Sequence, residues 1–578
     1  MHTLGINAAY HDCAACLVRD GEVIAAAEEE RFTRIKHGKR PVPFTTWQLP
    51  FHAIDYCLQE AGIALADVQH VAYSYDPWLL LGAGARDGQE IIQLPLEPSA
   101  HAAGEWLSPW DPLFLSYIVN APRQLASGAP HHLRKRFRGA RHDGPYQWHF
   151  VEHHLAHEAS AFLAAPFEEC AVLTMDGRGE KATTSYGFYE DRRYKRIKQV
   201  NLPHSLGLLY EALTDYLGFL HSSDEYKVMA LASFGKPVYA PLLREVLRYT
   251  GDGGYEVTPA QWDKLFGPAR ERGAEFTQKH MDIASSLQVV LEETVLKMAE
   301  WLHQQTGAEN LCMAGGVALN CVMNAKVRDQ GPFKRVWVQP ASGDAGTALG
   351  AALWIDEQEA RKGGGAAKKH WRMEHGFLGP AYEEAEIETF LQQAKLRYRR
   401  AHDLSAEVAE LLLQNKVIGW FQGRMEFGPR ALGARSILAS PLDASMQQRL
   451  NHIKDREDFR PVAPVVLEEE AANWFVNGEV SPYMVFVYDV RPDKADRIPA
   501  VRHVDGTARI QTINRSQNAA YYDLLRAFGE RSSVPVLINT SFNTRGEPVV
   551  CTPRDAVESY CTTPLDALAI GPFIVEKQ

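Results

Sequence analysis

Few cysteines, no long apolar run and no surplus of positive charge mark this chain, and each shortage removes a class of protein. Eight cysteines in 578 residues are too few and too scattered for a disulfide framework. The one close pair, Cys13 and Cys16 in CAAC, falls in an apparent strand whose alternation sends the two side chains to opposite faces, which argues against a redox or zinc motif. His11 and Asp12 interrupt the opening MHTLGINAAYHDCAACLVRDG before a signal-peptide core can form, and nowhere does an apolar stretch approach the ~18 residues of a membrane span. A cytoplasmic protein with no membrane role is expected. The formal net charge of -11 repels nucleic acid unless a local basic patch dominates, so a small substrate is favoured over a nucleic-acid partner.

What is present is the composition of a globular enzyme, 46% hydrophobic and 23% charged. The length exceeds what one core usually fills, so roughly two or three domains are expected. LGINA, CAACLV and EVIAAAEE read as short strands, the last two joined by the turn Arg19-Asp20-Gly21. The same grammar returns from Ala171 to Val200, where AVLTMDGRGEKATTSYGFYEDRRYKRIKQV reads as strand, polar turn, strand, charged reversal and strand. Two such modules predict an α/β chain with the duplicated fold of the actin, hexokinase and Hsp70 ATPases. An irregular stretch of about 78–148 reads as an insertion, and the basic run Arg134 to Arg141 within it as a solvated face or subunit contact. RKGGGAAKKHW (361–371) is the clearest linker. Beyond it KVIGWFQG, PVAPVVLEE, VPVLINTSF and DALAIGPFIV alternate with helical patterns, which predicts a second α/β domain.

EHHLAHEAS (152–160) carries three histidines. On a helix His153 and His157 share a face, while His154 points about 100° away. HxxxH alone is met by structural histidines as readily as by ligands. Asp176 in TMDGRGE and Asp344 in ASGDAGT, at mirrored strand ends of the two modules, complete a nitrogen and oxygen set suited to divalent iron, zinc or manganese. A metalloprotease is excluded, because position 154 holds His where HExxH requires Glu. ENLCMAGGVALN and VWVQPASGDAGTALGAALW place glycines at two successive strand-to-helix turns, where backbone N–H groups attract phosphate. Arg424, Arg430, Arg435, Lys454, Arg456, Arg460 and Arg509 sit among glycine, proline and apolar residues, which points to a polyanion pocket. Asn539, Ser541 and Asn543 in INTSFN offer neutral groups for the same ligand. His11, at the turn leaving the first strand, is placed to accept a proton, with Asp12 to orient it.

These motifs run in order from NAAYHDCAACLV through VEHHLAHEASAF, MDGRGE, AGGVALN, SGDAGTALGAA and GRMEFGPRALGARSIL to KDREDFRPVAP and LINTSFNTRGEPVV. Together they resemble the O-carbamoyltransferases of nodulation-factor and antibiotic biosynthesis over nearly the whole chain. The resemblance implies a carbamoyl-transfer domain at 1–362, a linker at 363–375 and a YrdC-like α/β domain at 376–578. The latter would join carbamoyl phosphate and ATP, with Mg, into carbamoyl-AMP, releasing pyrophosphate and phosphate. The former, similar to tRNA threonylcarbamoyl transferases, would pass the carbamoyl group to an alcohol of a small natural product beside a metal, usually Fe(II), with Zn or Mn open. Carried over residue by residue, the metal ligands are His153, His157, Asp176 and Asp344, and the nucleotide turns Gly315, Gly316 and Asn320. The YrdC-like pocket is Lys454, Arg460, Arg509, Asn539 and Ser541, with Arg430. His11 is the base, and Lys36 and Lys227 neutralise phosphate. A homodimer is the family habit. A tRNA-modifying enzyme and a small-molecule kinase of the same fold are the alternatives, and the acceptor alcohol is left open.

Overall fold

The computed structural model describes residues 1–38, 49–81, 111–127, 144–362 and 371–577. The basic run 134–141, most of the expected insertion and the glycine-rich part of the linker lie outside the described residues. The chain divides into two compact units. The first comprises 1–208, 302–318 and 333–373, and the second 209–301, 319–332 and 374–578.

In the first unit β1 (His2–Asn7), β2 (Ala14–Arg19) and β3 (Glu22–Glu28) form an antiparallel meander, and β4 (His70–Tyr73) and β5 (Gln147–Phe150) extend it in parallel on the other side of β1. The sheet order is β3-β2-β1-β4-β5. The pattern repeats. β6 (Cys170–Met175), β7 (Ala182–Glu190) and β8 (Arg193–Asn201) form a second meander. After the separate hairpin of β9 (Leu247–Tyr249) and β10 (Tyr255–Val257) in the second unit, β11 (Asn310–Ala314) and β12 (Arg335–Val338) add in parallel beside β6. Its order, β12-β11-β6-β7-β8, is the first sheet's order read backwards. That repetition is the duplicated ATPase-type α/β fold.

The helices follow from the same patterning. α1 (Phe51–Glu60) buries Ala53, Ile54, Cys57 and Leu58 at helical spacing, and these join a core with Leu4, Ile6, Leu17 and Val71. α2 (His153–Phe162) is buried all round apart from Leu155. It packs on β6, β7 and β11 on one side and on a long helix on the other. After α3 (Cys321–Gln330) of the second unit comes that long helix, α4 (Ala345–Lys362), which packs on both α2 and the first sheet. The α2–α4 contact is close because Gly350 has no side chain. A Cβ there would lie 1.8 Å from the Ala156 carbonyl oxygen and 2.6 Å from the Ser160 nitrogen.

The second unit is built on an eight-stranded mixed sheet of β13 (Tyr398–Arg400), β14 (Ile418–Phe421), β15 (Arg435–Ala439), β16 (Ala463–Leu467), β19 (Gln511–Ile513), β20 (Val536–Ser541), β21 (Ala567–Ile570) and β22 (Phe573–Glu576). A small ribbon of β17 (Tyr488–Asp489) and β18 (Thr507–Ala508) stands apart from it. DALAIGPFIV, which reads as one strand, is the hairpin β21–β22. α5 (Leu404–Leu413) and α7 (Ala519–Ser532) cover one face, with α6 (Ser445–Ile453) between them in sequence. In α7 the buried Tyr521, Leu524, Leu525 and Phe528 fall at i, i+3, i+4 and i+7, and the Asn518 side chain caps the start by accepting from the Tyr521 N–H at 3.1 Å. All eight cysteines are free thiols, seven of them buried. Among the described residues no helix is long and apolar enough to cross a membrane.

Candidate functional site

In the first unit the structure brings His153, His157, Asp176 and Asp344 together, all buried, with one donor atom from each within 4.8 Å of the others. The two Nε2 atoms are 3.2 Å apart. His153 Nε2 lies 3.5 Å from Asp176 Oδ2 and 3.6 Å from Asp344 Oδ1; His157 Nε2 lies 3.8 and 3.6 Å from the same two atoms. A first-row divalent ion with bonds of about 2.0–2.2 Å places its donors about 3.0–3.6 Å apart; four of these five separations fall in that range, and the fifth, 3.8 Å between His157 and Asp176, lies just beyond it.

Two of the four donors, His153 and Asp176, are aimed by a second hydrogen bond. His153 Nδ1 donates to the Ser74 carbonyl at 3.2 Å, which leaves the Nε2 lone pair facing the cluster. Asp176 ends β6, and its other oxygen accepts from the Gly316 N–H at 2.7 Å. Asp344 stands just before α4, so its position depends on the α2–α4 contact. Glu180, from the same TMDGRGE motif, caps α2 from a distance, accepting from the His153 N–H at 3.0 and 3.2 Å and from the Asp76 N–H at 2.6 Å. His154 is turned away, its Nδ1 3.1 Å from Ser185 Oγ.

The electrostatics show what the cluster needs. Burial alone raises a carboxyl pKa, yet His11 and His153 bring that of Asp344 down to about 2. Asp176 is likewise lowered against its burial by His153 and His157. Burial disfavours charge on His153, but Asp344 and Asp176 hold its pKa well above the ordinary value. Two buried anions therefore demand a cation, and a proton on His153 fills that role where a divalent ion could displace it.

His11 borders this cluster, with Nδ1 2.9 Å from Asp12 Oδ2 and 3.8 Å from Asp344 Oδ2. The turn that holds it is strained: Tyr10 and Asp12 have φ of 48° and 52°, and the Asn7 amide ties it down by donating to the His11 and Asp12 carbonyls, both at 3.0 Å. The other oxygen of Asp12 meets His37 Nδ1 at 2.8 Å. Lys36 starts the short 3₁₀ turn Lys36–Gly38, and its neighbour His37 is the residue that reaches Asp12. Gly315, at φ 91°, lets its backbone approach β6 so closely that a Cβ would lie 2.1 Å from the Met175 carbonyl oxygen. Both Gly315 and Gly316 thus hold the strand end that carries Asp176.

The remaining candidates lie in the second unit. Asn320 caps α3, accepting from the Met323 N–H at 3.0 Å, and its amide donates to Gln288 at 2.8 Å. Arg430, Arg456, Arg460 and Arg509 act on one another electrostatically. Burial and then Arg509 lower the pKa of Arg430 to about 9; burial and then Arg460 lower that of Arg456 to about 9. Guanidinium stays charged in practice, so these depressions register positive charge awaiting an anion. Arg460 also lies over the Tyr226 ring at 4.8 Å. Arg456 Nη2 and Arg509 Nε are buried without a hydrogen-bond partner among the described residues. Lys454 follows α6 and donates to neutral oxygens of the INTSFN turn: the Ser541 carbonyl, Ser541 Oγ at 3.2 Å, and the Asn543 carbonyl and Oδ1, both at 2.8 Å. The Asn539 amide donates to Ala431 and Gln511, while its Oδ1 is buried without a partner among the described residues. Lys227 is committed to carboxylates, 3.0 Å from Glu457 and 3.2 Å from Asp224. Arg424 and Arg435 bond backbone carbonyls of their own surroundings, and Arg435 stacks on Phe421 at 3.7 Å. Those two are structural.

Sequence comparison then decides the family. A model of the carbamoyltransferase N-terminus matches residues 2–78 and 140–353, and a model of the carbamoyltransferase C-terminus matches 409–577. The chain belongs to the carbamoyltransferase family. Nodulation protein NolNO of Sinorhizobium fredii is 38% identical, with 99% of this chain and 80% of NolNO aligned. Nodulation protein NolO of Bradyrhizobium diazoefficiens is 40% identical across 74% of this chain and 79% of its own length. An uncharacterized protein of Synechocystis, sll1178, is 40% identical across 100% of this chain and 97% of its own. Among solved structures, component A of the Acidaminococcus fermentans (R)-2-hydroxyglutaryl-CoA dehydratase (13% identity, TM-score 0.33, 62% of this chain and 99% of that one) and HypF of T. kodakarensis (15%, 0.32, 62% and 48%) resemble it weakly. The repeated sheet order is the stronger statement of fold.

In this carbamoyltransferase the four residues expected as donors come together in the first unit, and Arg430, Arg456, Arg460 and Arg509 lie within electrostatic reach of one another in the second. Sequence reasoning missed three contributors: Glu180, Ser74 and His37. Glu180 lies inside a quoted motif, TMDGRGE. Ser74 acts through its carbonyl, which no sequence pattern marks.

Proposed function

We propose that this carbamoyltransferase activates carbamoyl phosphate with ATP in a C-terminal domain, residues 376–578, and delivers the carbamoyl group to an alcohol in an N-terminal domain, residues 1–362. The observation that carries the first half is the mutual repulsion of Arg430, Arg456, Arg460 and Arg509, which Glu457, 3.7 Å from Arg460, offsets only in part. Such a group suits a ligand with several phosphate oxygens. Carbamoyl phosphate takes up water to give carbamate and phosphate, and the carbamate oxygen then attacks the α-phosphorus of Mg-bound ATP, breaking the bond to pyrophosphate. Lys454 and the arginines stabilise the charge that gathers on these oxygens. The buried Asn539 Oδ1 is suited to accept from the carbamoyl NH2.

In the transfer step Asp12 accepts from His11 Nδ1, which leaves Nε2 to take the proton of the acceptor hydroxyl. The hydroxyl oxygen forms a bond to the carbamoyl carbon, and the bond to AMP breaks. His153, His157, Asp176 and Asp344 would hold Fe(II), which when bound supplies Lewis-acid stabilisation of phosphate oxygens. Gly315, Gly316, Asn320, Lys36 and Lys227 are assigned to the nucleotide side by the family resemblance. The acceptor is a hydroxyl of a small natural product, and the enzyme works in the cytoplasm as a homodimer.

The products separate this reading from a kinase. Incubation with ATP, Mg and carbamoyl phosphate should yield carbamoyl-AMP by mass spectrometry together with pyrophosphate, and AMP as the adenylate is then consumed. Formation of ADP instead would overturn it.

A further inference from the structure

A second cluster of metal-type donors lies at the opposite end of α4. His70, His149 and Glu359, all partly buried, place one donor atom each within 4.8 Å of one another. His70 opens β4, and the parallel register Ala72↔His149 sets the two imidazoles diagonally on one face. The register Thr3↔His70 puts that face towards α4, because Thr3 Oγ1 donates to Asp356 of α4 at 3.0 Å. Glu359 lies three residues further along the helix, on the same side. His70 Nδ1 and His149 Nε2 are 3.0 Å apart, with the rings inclined at 43°.

We propose that His70, His149 and Glu359 form a zinc-type site that ties β4 and β5 to the C-terminal end of α4. Two imidazole nitrogens and one carboxylate oxygen suit a borderline divalent ion such as Zn2+, and the partial exposure leaves positions for water. The site is separate from the buried cluster: Glu359 follows Asp344 by four helical turns, roughly 20 Å along the axis. Burial, and for His149 the neighbouring His70, favour the neutral imidazoles that a metal needs. The competing partner is Lys362, which donates to Glu359 Oε1 at 2.7 Å. Its side chain is 70% exposed, so this ion pair holds the carboxylate weakly. The inference does not depend on the reaction proposed above.

Zinc binding to the chelator-stripped full chain tests it, read as metal per chain after desalting and as Tm with and without zinc. The parent should hold about two ions per chain, while His149→Gln and the double variant His153→Ala/His157→Ala should each lose one, and His149→Gln should lose part of the zinc-dependent rise in Tm. Glu359→Gln, at a partly exposed helix position, guards against misfolding of the histidine variant and should weaken binding at this site about tenfold. Full stoichiometry in His149→Gln, unchanged affinity in Glu359→Gln, or a parent that binds one ion lost in the double variant would each overturn the proposal.

Discussion

His153 and His157 meet through their Nε2 atoms at 3.2 Å, one turn apart on α2, with a carboxylate oxygen from Asp176 and one from Asp344 beside both. No stable arrangement of two buried anions and two neutral imidazoles lacks a cation. His157→Ala should therefore leave the protein folded but strip nearly all tightly held metal from this cluster. Glu180→Gln, which loosens the cap of α2, should lower affinity about tenfold. Elemental analysis after dialysis at low free metal checks both, and unchanged metal in His157→Ala contradicts the assignment.

Gly350 couples packing to the same cluster. A Cβ at this position would strike the Ala156 carbonyl at 1.8 Å, pushing α4 from α2 and Asp344 from the two histidines. Gly350→Ala should destabilise the chain by about 1–3 kcal/mol and reduce metal retention with it, although residue 350 touches no donor. Thermal melts paired with metal content measure this. Loss of stability with full metal retention would show that the helices move without moving the site.

Arg456 is predicted to strain the ligand-free protein and to serve the ligand. Arg456→Ala should lower kcat/KM for carbamoyl phosphate about ten- to hundredfold, or roughly 1.4–2.8 kcal/mol. The variant should also melt higher than the parent without ligand, because one member of a repelling group is gone, and gain less Tm from added pyrophosphate. A variant that gains as much as the parent would remove Arg456 from the anion pocket.

His503 supplies a pH signature. Burial is the main cause that lowers its pKa, to about 4; Arg509 lowers it further and Asp505 opposes. The unfolded chain therefore binds a proton near pH 6.5 that the folded chain refuses until about pH 4. Between those values the unfolded state holds more protons, so stability falls as pH falls. His503→Gln should flatten that part of the stability profile in urea melts, and an unaltered slope would contradict the shift.

Local grammar carried much of the fold. The two strand–turn–strand–reversal–strand stretches are the meanders β1–β3 and β6–β8, and the motif order carried the family. The helical spacing of His153 and His157, with His154 turned aside, was legible because one helix fixes all three directions. Contacts between distant segments were not. His37 reaches Asp12 across 25 positions, and His70 meets His149 across 79; neither pair shares an element or a motif. Lys227 carried a phosphate role by motif, yet the structure pairs it with Glu457 and Asp224, since a sequence shows a charge but not its nearest partner. DALAIGPFIV concealed a hairpin because both strands are buried and apolar, and the turn at Gly571 is short.

The central claim is that one chain makes a carbamoyl adenylate with one set of residues and spends it with another. Acceptor-free pyrophosphate release from ATP and carbamoyl phosphate tests this most directly, measured for the parent, Lys454→Ala and His157→Ala. The account predicts release by the parent, near silence from Lys454→Ala and release close to the parent's rate from His157→Ala. Equal rates from the parent and Lys454→Ala, or silence from His157→Ala while it remains folded, would contradict it.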